Sequence, residues 1–540
     1  MQLYAQTIPV GFPVIEDYYR RAQLLGQIDS SISFTSRPFF PIDALKIDNS
    51  FDPDKTLKDN RWTDFDGIYR LGKKKVTVKL LPITIFQQFN SDHAAGINDG
   101  IMIPARGYQT LISAGVFLKY GPLSIQLRPE LVYAENKAEV KKVFDGIPYN
   151  SHIDSLYSNY NYTYGIDLPD RYGDKPFQKM ALGQSNIRLT FGSVSIGVSN
   201  ENLWWGPGMQ NSLLMTNNAP GFKHLTLNTV KPIRTPIGSF EGQIIAGRLE
   251  SSGFSSVIPN NWRYLNGIVL SYQPRWVSGL FLGITRCFQS YGNNMGKTIG
   301  DYLPIFIPVG KKSGGGANID PHDRDQLASL FMRWIWVKGH GEIYFEYGRE
   351  DHAWNLRDLM MEPTSSAAYI LGMRKLIPLT KNKNEYIQVN LELTQLEMDN
   401  ITINRLGGPW YTHTPIIQGY TNYSQVIGAG IGPGSNLQTF NISWNKNLKS
   451  IGLQFERFVH NNDFFQANIK DIRSNWVDLS GAILSEWTYK NLVLNMKLEF
   501  IRSKNYKWQY MPIPSNSLDY WNKTHDVFNF HGQLGVTYRF

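Results

Sequence analysis

The final stretch of the chain, DVFNFHGQLGVTYRF, limits what the whole can fold into more than any other segment. Phe528, Phe530, Leu534, Val536, Tyr538 and Phe540 fall on one face of an extended strand, and Asn529, His531, Gln533, Thr537 and Arg539 fall on the other. The period of two recurs upstream. In 491–503, Leu492, Leu494, Met496, Leu498 and Phe500 oppose Asn495, Lys497 and Glu499. In 385–394, Ile387, Val389, Leu391 and Leu393 oppose Gln388, Asn390, Glu392 and Thr394. In 342–350, Glu342, Glu346 and Glu350 share a face opposite Ile343 and Phe345. A row of charges behind a greasy face does not suit the core of a soluble sandwich. It suits a strand with lipid on one side and a polar lumen on the other.

The connections between such segments alternate in length. Short ones stand at Tyr120-Gly121-Pro122, Gly192-Ser193, Lys338-Gly339, Lys381 to Asn384, Lys446-Asn447 and Lys490-Asn491. Long ones span roughly 136–182, 252–262, 291–323, 400–435, 461–475 and 504–525. Short turns at one end and long loops at the other are the pattern of a transmembrane barrel. Candidate strands from residue 75 onward number about 18, within a range of about 16–20. The expected fold is therefore all-β: an outer-membrane barrel of about 18 antiparallel strands over 71–540, with long extracellular loops. The first 70 residues read differently. PVIEDYYRRAQLLG (13–26) has a proline in its first turn, acids near its start and Gly26 placed for a left-handed cap, so a small helical element on the periplasmic side is expected.

Composition agrees. Aromatic residues are 13% of the chain and charged residues 18%, while mean hydropathy is only -0.31. No run of 18 apolar residues is present, which excludes a transmembrane helix. The single cysteine, Cys287, excludes an intramolecular disulfide and a multi-cysteine metal site. A net charge of +9 without a dense Lys/Arg run does not point to nucleic acid; the longest run is Lys73-Lys74-Lys75. The opening MQLYAQTIPVG lacks the two regions of a secretory signal, so a trimmed leader is expected for a chain bound for the bacterial outer membrane.

Several stretches together resemble one known family. They are NDGIMIPARGYQ (98–109), LSIQLRPELVYAEN (123–136), ENLWWGPGMQNSLLMTNNAPGF (201–222), EGQIIAGRLESS (241–252) and GYTNYSQVIGAGIGPGSN (419–436). In this order they are similar to the Wzi family of capsule-assembly outer-membrane proteins, in its Bacteroidetes-type form, and Trp-Trp-Gly-Pro-Gly with its downstream Asn-Asn is the most specific part. The resemblance implies a barrel with an N-terminal helical bundle, acting as a lectin that attaches capsular polysaccharide to the cell surface. It implies no enzymatic activity and no cofactor. The implied partners are capsular or exopolysaccharide, outer-membrane lipids and other capsule-export components.

Trp204 and Trp205 admit three readings: stacking against sugar rings, a structural constriction, or an interfacial aromatic girdle. Adjacent strand residues point to opposite faces, so at most one of the pair can meet lipid. Asn217 and Asn218 suit polyol recognition and suit turn capping equally. Trp410, Tyr411, His413, Tyr420 and Tyr423 interleave with Gly and Thr in a long loop, as a carbohydrate surface or a packed loop would. Arg128 with Glu130, and Arg248 with Glu250, are spaced i, i+2 and read as lumenal charge pairs. Arg473 reads as a solvated charge or as a contact for an acidic polymer. There is no GxSxG, HExxH or CxxC. DPHDRD (320–325) places His322 between Asp320 and Asp323, a weak metal motif behind a glycine-rich stretch, and no metal is expected. The competing functions are a porin or saccharide transporter with an open lumen, and a membrane-embedded hydrolase.

Overall fold

A computed structural model describes residues 6–540 apart from 12, 48, 56, 58–67, 72–73, 144–147, 256–257, 307–321, 351–355, 380, 382–383, 400–406 and 511–524. The strands close into one antiparallel barrel of eighteen. In chain order they are β1 (Lys74–Asn90), β2 (Gly107–Tyr120), β3 (Leu123–Leu127 with Glu130–Ala134), β4 (Phe177–Ala181 with Asn186–Phe191), β5 (Val194–Ser199) and β6 (His224–Thr229 with Ile233–Thr235). They continue as β7 (Gly238–Leu249), β8 (Arg263–Pro274), β9 (Leu280–Tyr291), β10 (Asp325–Trp336), β11 (Gly341–Glu350) and β12 (Ala367–Pro378). The last six are β13 (Glu385–Gln395), β14 (Asn436–Lys446), β15 (Lys449–Val459), β16 (Val477–Tyr489), β17 (Leu492–Lys504) and β18 (Val527–Tyr538). β18 pairs with β1 from His531↔Asn90 to Tyr538↔Ile83 and leaves no open edge.

The interruption in β3 falls at Arg128-Pro129 and that in β6 at Val230–Pro232, where proline offers no N–H to the ladder. Alternation follows the sequence. In β18, Phe528 is 57% exposed and Leu534 45%, while Asn529 and His531 are buried. In β11, Glu342, Glu346 and Glu350 turn into the lumen. Short turns join β2–β3, β4–β5, β10–β11, β14–β15 and β16–β17 as expected; two more, at 236–237 and 275–279, were not anticipated. The turn at Lys381 to Asn384 lies partly outside the described residues.

Helix α1 spans Pro13–Leu24. Gly26 adopts φ 74° and the Gln27 N–H returns to Ala22 O at 2.9 Å, closing the helix where the sequence placed its cap. The helix lies within the short-turn mouth. Val14 packs on Leu448 and Val493, and Leu24 and Leu25 pack on Phe281, Ile335, Leu376 and Tyr386. The lumen holds the main apolar core as well, because the segment 200–223 and the loop around 410–431 fold inward and cluster with lumenal Ile245, Leu265, Phe331, Tyr344 and Ile370.

Candidate functional site

The Trp-Trp-Gly-Pro-Gly segment is the keystone of this filling. Trp204 and Trp205 form a two-residue ladder with Ser36 and Arg37 of the N-terminal segment, and the Gly206 N–H donates to Thr35 O at 2.8 Å. The Arg37 guanidinium lies 4.5 Å from the Trp204 ring centre and donates to Gly208 O at 3.1 Å. Arg20 donates to Pro207 O at 3.1 Å. The turn is thus held by arginines of the N-terminal region, which are anchored in their own right. Glu342 on β11 accepts Arg333 at 2.6 Å, Arg374 at 2.7 Å and Arg20 at 3.3 Å, and Arg37 pairs with Glu16 at 2.6 Å. One carboxylate among several cations suits a buried site, because each hydrogen bond offsets part of the desolvation penalty.

Beyond the turn the chain wraps a second carboxylate. Backbone N–H groups of Met209, Gln210 and Asn211 donate to Glu392 at 2.7, 3.1 and 2.8 Å, and the Tyr344 hydroxyl adds a bond at 2.7 Å. Glu346 similarly takes the Leu213 N–H at 3.3 Å and the Ser329 hydroxyl at 2.7 Å. The charged lumenal faces seen in the sequence are therefore acceptors for a plug. Trp205 completes the packing: its indole donates to Gln243 at 2.9 Å, and its ring fills the space at Gly267, where a Cβ would sit 2.9 Å from it. Gly348 gives Trp410 and Leu213 the same clearance, with a Cβ there 2.7 Å from each.

Trp205, Trp410, Tyr411 and Tyr420 are 0% exposed, and Trp204 5%. The Tyr411 hydroxyl donates to Leu213 O at 2.8 Å, its ring stacks on Tyr420, and the Trp410 indole donates to Ser366 O at 2.9 Å. A ring that stacks on a sugar needs an open face, and Trp205, Trp410, Tyr411 and Tyr420 have none; Trp204 borders a cavity inside the barrel. The sugar-platform reading of Trp205, Trp410, Tyr411 and Tyr420 is corrected to internal packing, and neither Trp204 nor Trp205 reaches the lipid face that the girdle reading needs. Asn217 and Asn218 are buried as well, donating to Asn98 O at 2.7 Å and Val426 O at 2.9 Å. Tyr423 is half-buried under the Lys179 ammonium.

Arg128 and Glu130 both line the lumen, where Arg128 donates to Ser113 and Thr84 and Glu130 accepts from Gln184. Arg248 and Glu250 do pair, at 2.6 Å, yet outside the lumen. The lumenal register of β7 is Gln243, Ile245, Gly247 and Leu249, which turns Arg248 outward over the Trp262 ring. Arg473 is neutralised by Asp471 at 2.6 Å. Asp320 and the glycine-rich stretch before it lie outside the described residues, and His322 meets Asp301 at 3.2 Å.

The plug packs on β7–β13 and leaves a chamber of about 620 Å³ against β14–β18 and β1–β3, whose mixed lining includes the polar residues Asp99, Glu456, Asn495, Lys497, Glu499 and His531. The long-loop mouth above it carries a cap the sequence reading missed. Helix α2 (Ser151–Tyr164), capped by the Asn150 side chain and by Gly165 at φ 79°, lays Ile153, Tyr157 and Tyr160 on Phe464 and Trp508. Trp508 meets Trp476, which stacks on His460 at 3.7 Å. Its outer face exposes Ser155, Ser158, Asn159, Tyr162 and Thr163, with Tyr162 46% exposed. The Asn150 cap and the Ile153/Tyr157/Tyr160 spacing were legible signals for this helix. Asp463 is buried in the same cap; burial, with the nearby Glu397 carboxylate, lifts it to about 7 although it accepts the Met398 N–H.

Fold and filling together define a plugged outer-membrane β-barrel. The sequence profile of the family described as capsule assembly protein Wzi matches residues 106–505, and the chain belongs to that family. Among solved structures, the fold is similar to that of Escherichia coli Wzi, an outer membrane protein involved in group 1 capsule assembly and described as a carbohydrate-binding β-barrel. The TM-score is 0.62 at 12% identity, over 99% of this chain and 100% of that one. Acinetobacter baumannii OccAB2 aligns with TM-score 0.40 at 9% identity, over 85% of this chain and 97% of that one. Pseudomonas aeruginosa OccK7 aligns with TM-score 0.39 at 8% identity, over 85% and 99%. No curated protein matches the sequence.

Proposed function

We propose that this protein is an outer-membrane lectin that holds capsular polysaccharide at the extracellular face without processing it. The observation that carries the reading is the filled lumen: Trp205, Trp410, Tyr411 and Tyr420 lie in a continuous core across the barrel, and Glu392 and Glu346 tie the plug to the wall. A barrel so built offers a surface, in contrast to the open path a porin needs. Membership of the capsule-assembly family and the carbohydrate binding ascribed to Escherichia coli Wzi support the same reading. The polymer lies across the cap, where Asn159, Ser158 and Tyr162 supply amide, hydroxyl and ring contacts. Each contact is weak, and many along one polymer give avidity.

The test is a deletion strain complemented with wild type or with a Tyr162→Ala, Asn159→Ala double variant, scored for cell-attached against released polysaccharide. Deletion is expected to release polymer at unchanged total, wild type to restore attachment, and the variant to restore it only in part. Loss of synthesis on deletion overturns the attachment role. Full restoration by the variant overturns the placement on α2. Large steady currents from the wild type in planar bilayers would favour a transporter.

A further inference from the structure

At the long-loop rim several cations pair with acids, Lys504 with Asp526 at 2.6 Å, Lys507 with Glu139 at 2.7 Å and Lys141 with Asp154 at 2.9 Å. At the short-turn rim, Lys231, Arg275, Lys338, Lys375, Lys449 and Lys490 have no acidic partner among the described residues. Two other cations there are paired, Arg234 with Asp29 at 2.6 Å and Lys446 with Glu385 at 3.1 Å. The six form an arc from the bend in β6, through the turns after β8 and β10 and the end of β12, to the start of β15 and the turn after β16.

This arc sits level with a band of outward aromatics. Trp276 is 72% exposed, Tyr489 60%, Trp487 43% and Trp336 40%, and apolar Ile377 and Ile451 stand exposed beside them. Trp and Tyr collect where hydrocarbon gives way to headgroups. Two of the cations sit on these rings: Lys449 Nζ is 4.7 Å from the Trp487 ring centre and Lys490 Nζ is 5.2 Å from that of Tyr489. Long stems beside apolar surface with their heads at the aromatic level are the geometry of snorkelling cations. A soluble partner would meet these charges from the mouth, whereas ammonium groups seated on lipid-facing rings face the headgroup layer itself.

We propose that this arc binds anionic phospholipid headgroups of the leaflet at the short-turn end, giving the barrel a lipid-selective collar. The proposal rests on the barrel lying in the outer membrane, and it needs no polysaccharide. Each cation near an anionic surface is worth about fivefold in binding.

The test uses the full chain, purified and reconstituted in phosphatidylethanolamine with and without phosphatidylglycerol. Lipids that stay bound on transfer to detergent are weighed by native mass spectrometry. Wild type is expected to retain phosphatidylglycerol over phosphatidylethanolamine. A quadruple Arg275→Gln, Lys338→Gln, Lys449→Gln, Lys490→Gln variant should lose about tenfold or more of that retention. A Lys137→Gln, Lys175→Gln variant at the other rim should keep it, and folding of each is checked by heat-dependent migration. Equal retention of the two lipids by wild type, or unchanged retention by the quadruple variant, overturns the proposal. Lack of lipid preference together with binding of an acidic polymer to the arc overturns it in favour of a soluble ligand. Loss of capsule attachment with lipid retention intact bears on the lectin reading alone.

Discussion

One lumen, two walls: β7–β13 meet it with a plug pressed against them, and β14–β18 with β1–β3 meet it across a chamber. Both walls carry carboxylates on their inner faces. On the first, Glu392 and Glu346 take backbone N–H groups of the plug and Glu342 takes three arginines. On the second, Glu456 and Glu499 face the chamber beside Lys497 and Asn495. The same residue type in the same strand register thus positions a plug on one side and lines a cavity on the other. What separates them is where the donors come from. On the first wall the plug supplies backbone N–H groups, whereas on the second the wall's own side chains serve, Thr439 donating to Glu456 at 2.9 Å and Ser480 and Lys497 to Glu499 at 2.8 and 2.9 Å. A buried carboxylate without such donors is costly.

That contrast can be broken by substitution. Trp205→Ala empties the slot over Gly267 and leaves Gln243 without its donor, and is expected to cost about 4–5 kcal/mol in urea unfolding from detergent. Glu392→Ala strips acceptors from three backbone N–H groups and the Tyr344 hydroxyl and should cost about 3–4 kcal/mol by the same measurement. In the cap, Asp463 is raised to about 7 in the folded state against about 4 unfolded, so folded protein holds its proton more tightly and stability falls as pH rises from about 4 to 7. Asp463→Asn should remove that fall, a gain of up to about 4 kcal/mol at pH 8 relative to wild type, read from unfolding between pH 4 and 8. Asn495→Ala, on the chamber wall, should stay within about 0.5 kcal/mol. If it cost as much as Glu392→Ala, the two walls would be equivalent and the distinction would fall.

The strands were readable because lipid and water reward opposite faces. Phe528 against Asn529, or Ile387 against Gln388, sort by that rule alone. The rule weakens where the lumen is full. Both faces of β7 then touch apolar matter, Ile244 outward and Ile245 against the plug, so hydrophobicity no longer tells inside from outside and Arg248 was placed on the wrong face. The aromatic loop misled in a related way. Trp410, Tyr411 and Tyr420 have the composition of a sugar-binding surface, and that composition also serves a packed interior in which each polar tip finds a carbonyl, as Tyr411 and Trp410 do.

Local pattern therefore settled the barrel, its strand number to within about two, the helix ending at Gly26 and the alternation of short turns with long loops, because period, turn chemistry and caps act between residues close in the chain. Only the folded chain decided that Trp-Trp-Gly-Pro-Gly is a keystone, that Glu342, Glu346 and Glu392 hold the plug and that α2 roofs the mouth. Those roles depend on partners far apart in the chain, such as Arg20 with Glu342 or Met209 with Glu392, and no spacing within a strand encodes which distant segment will come to meet it.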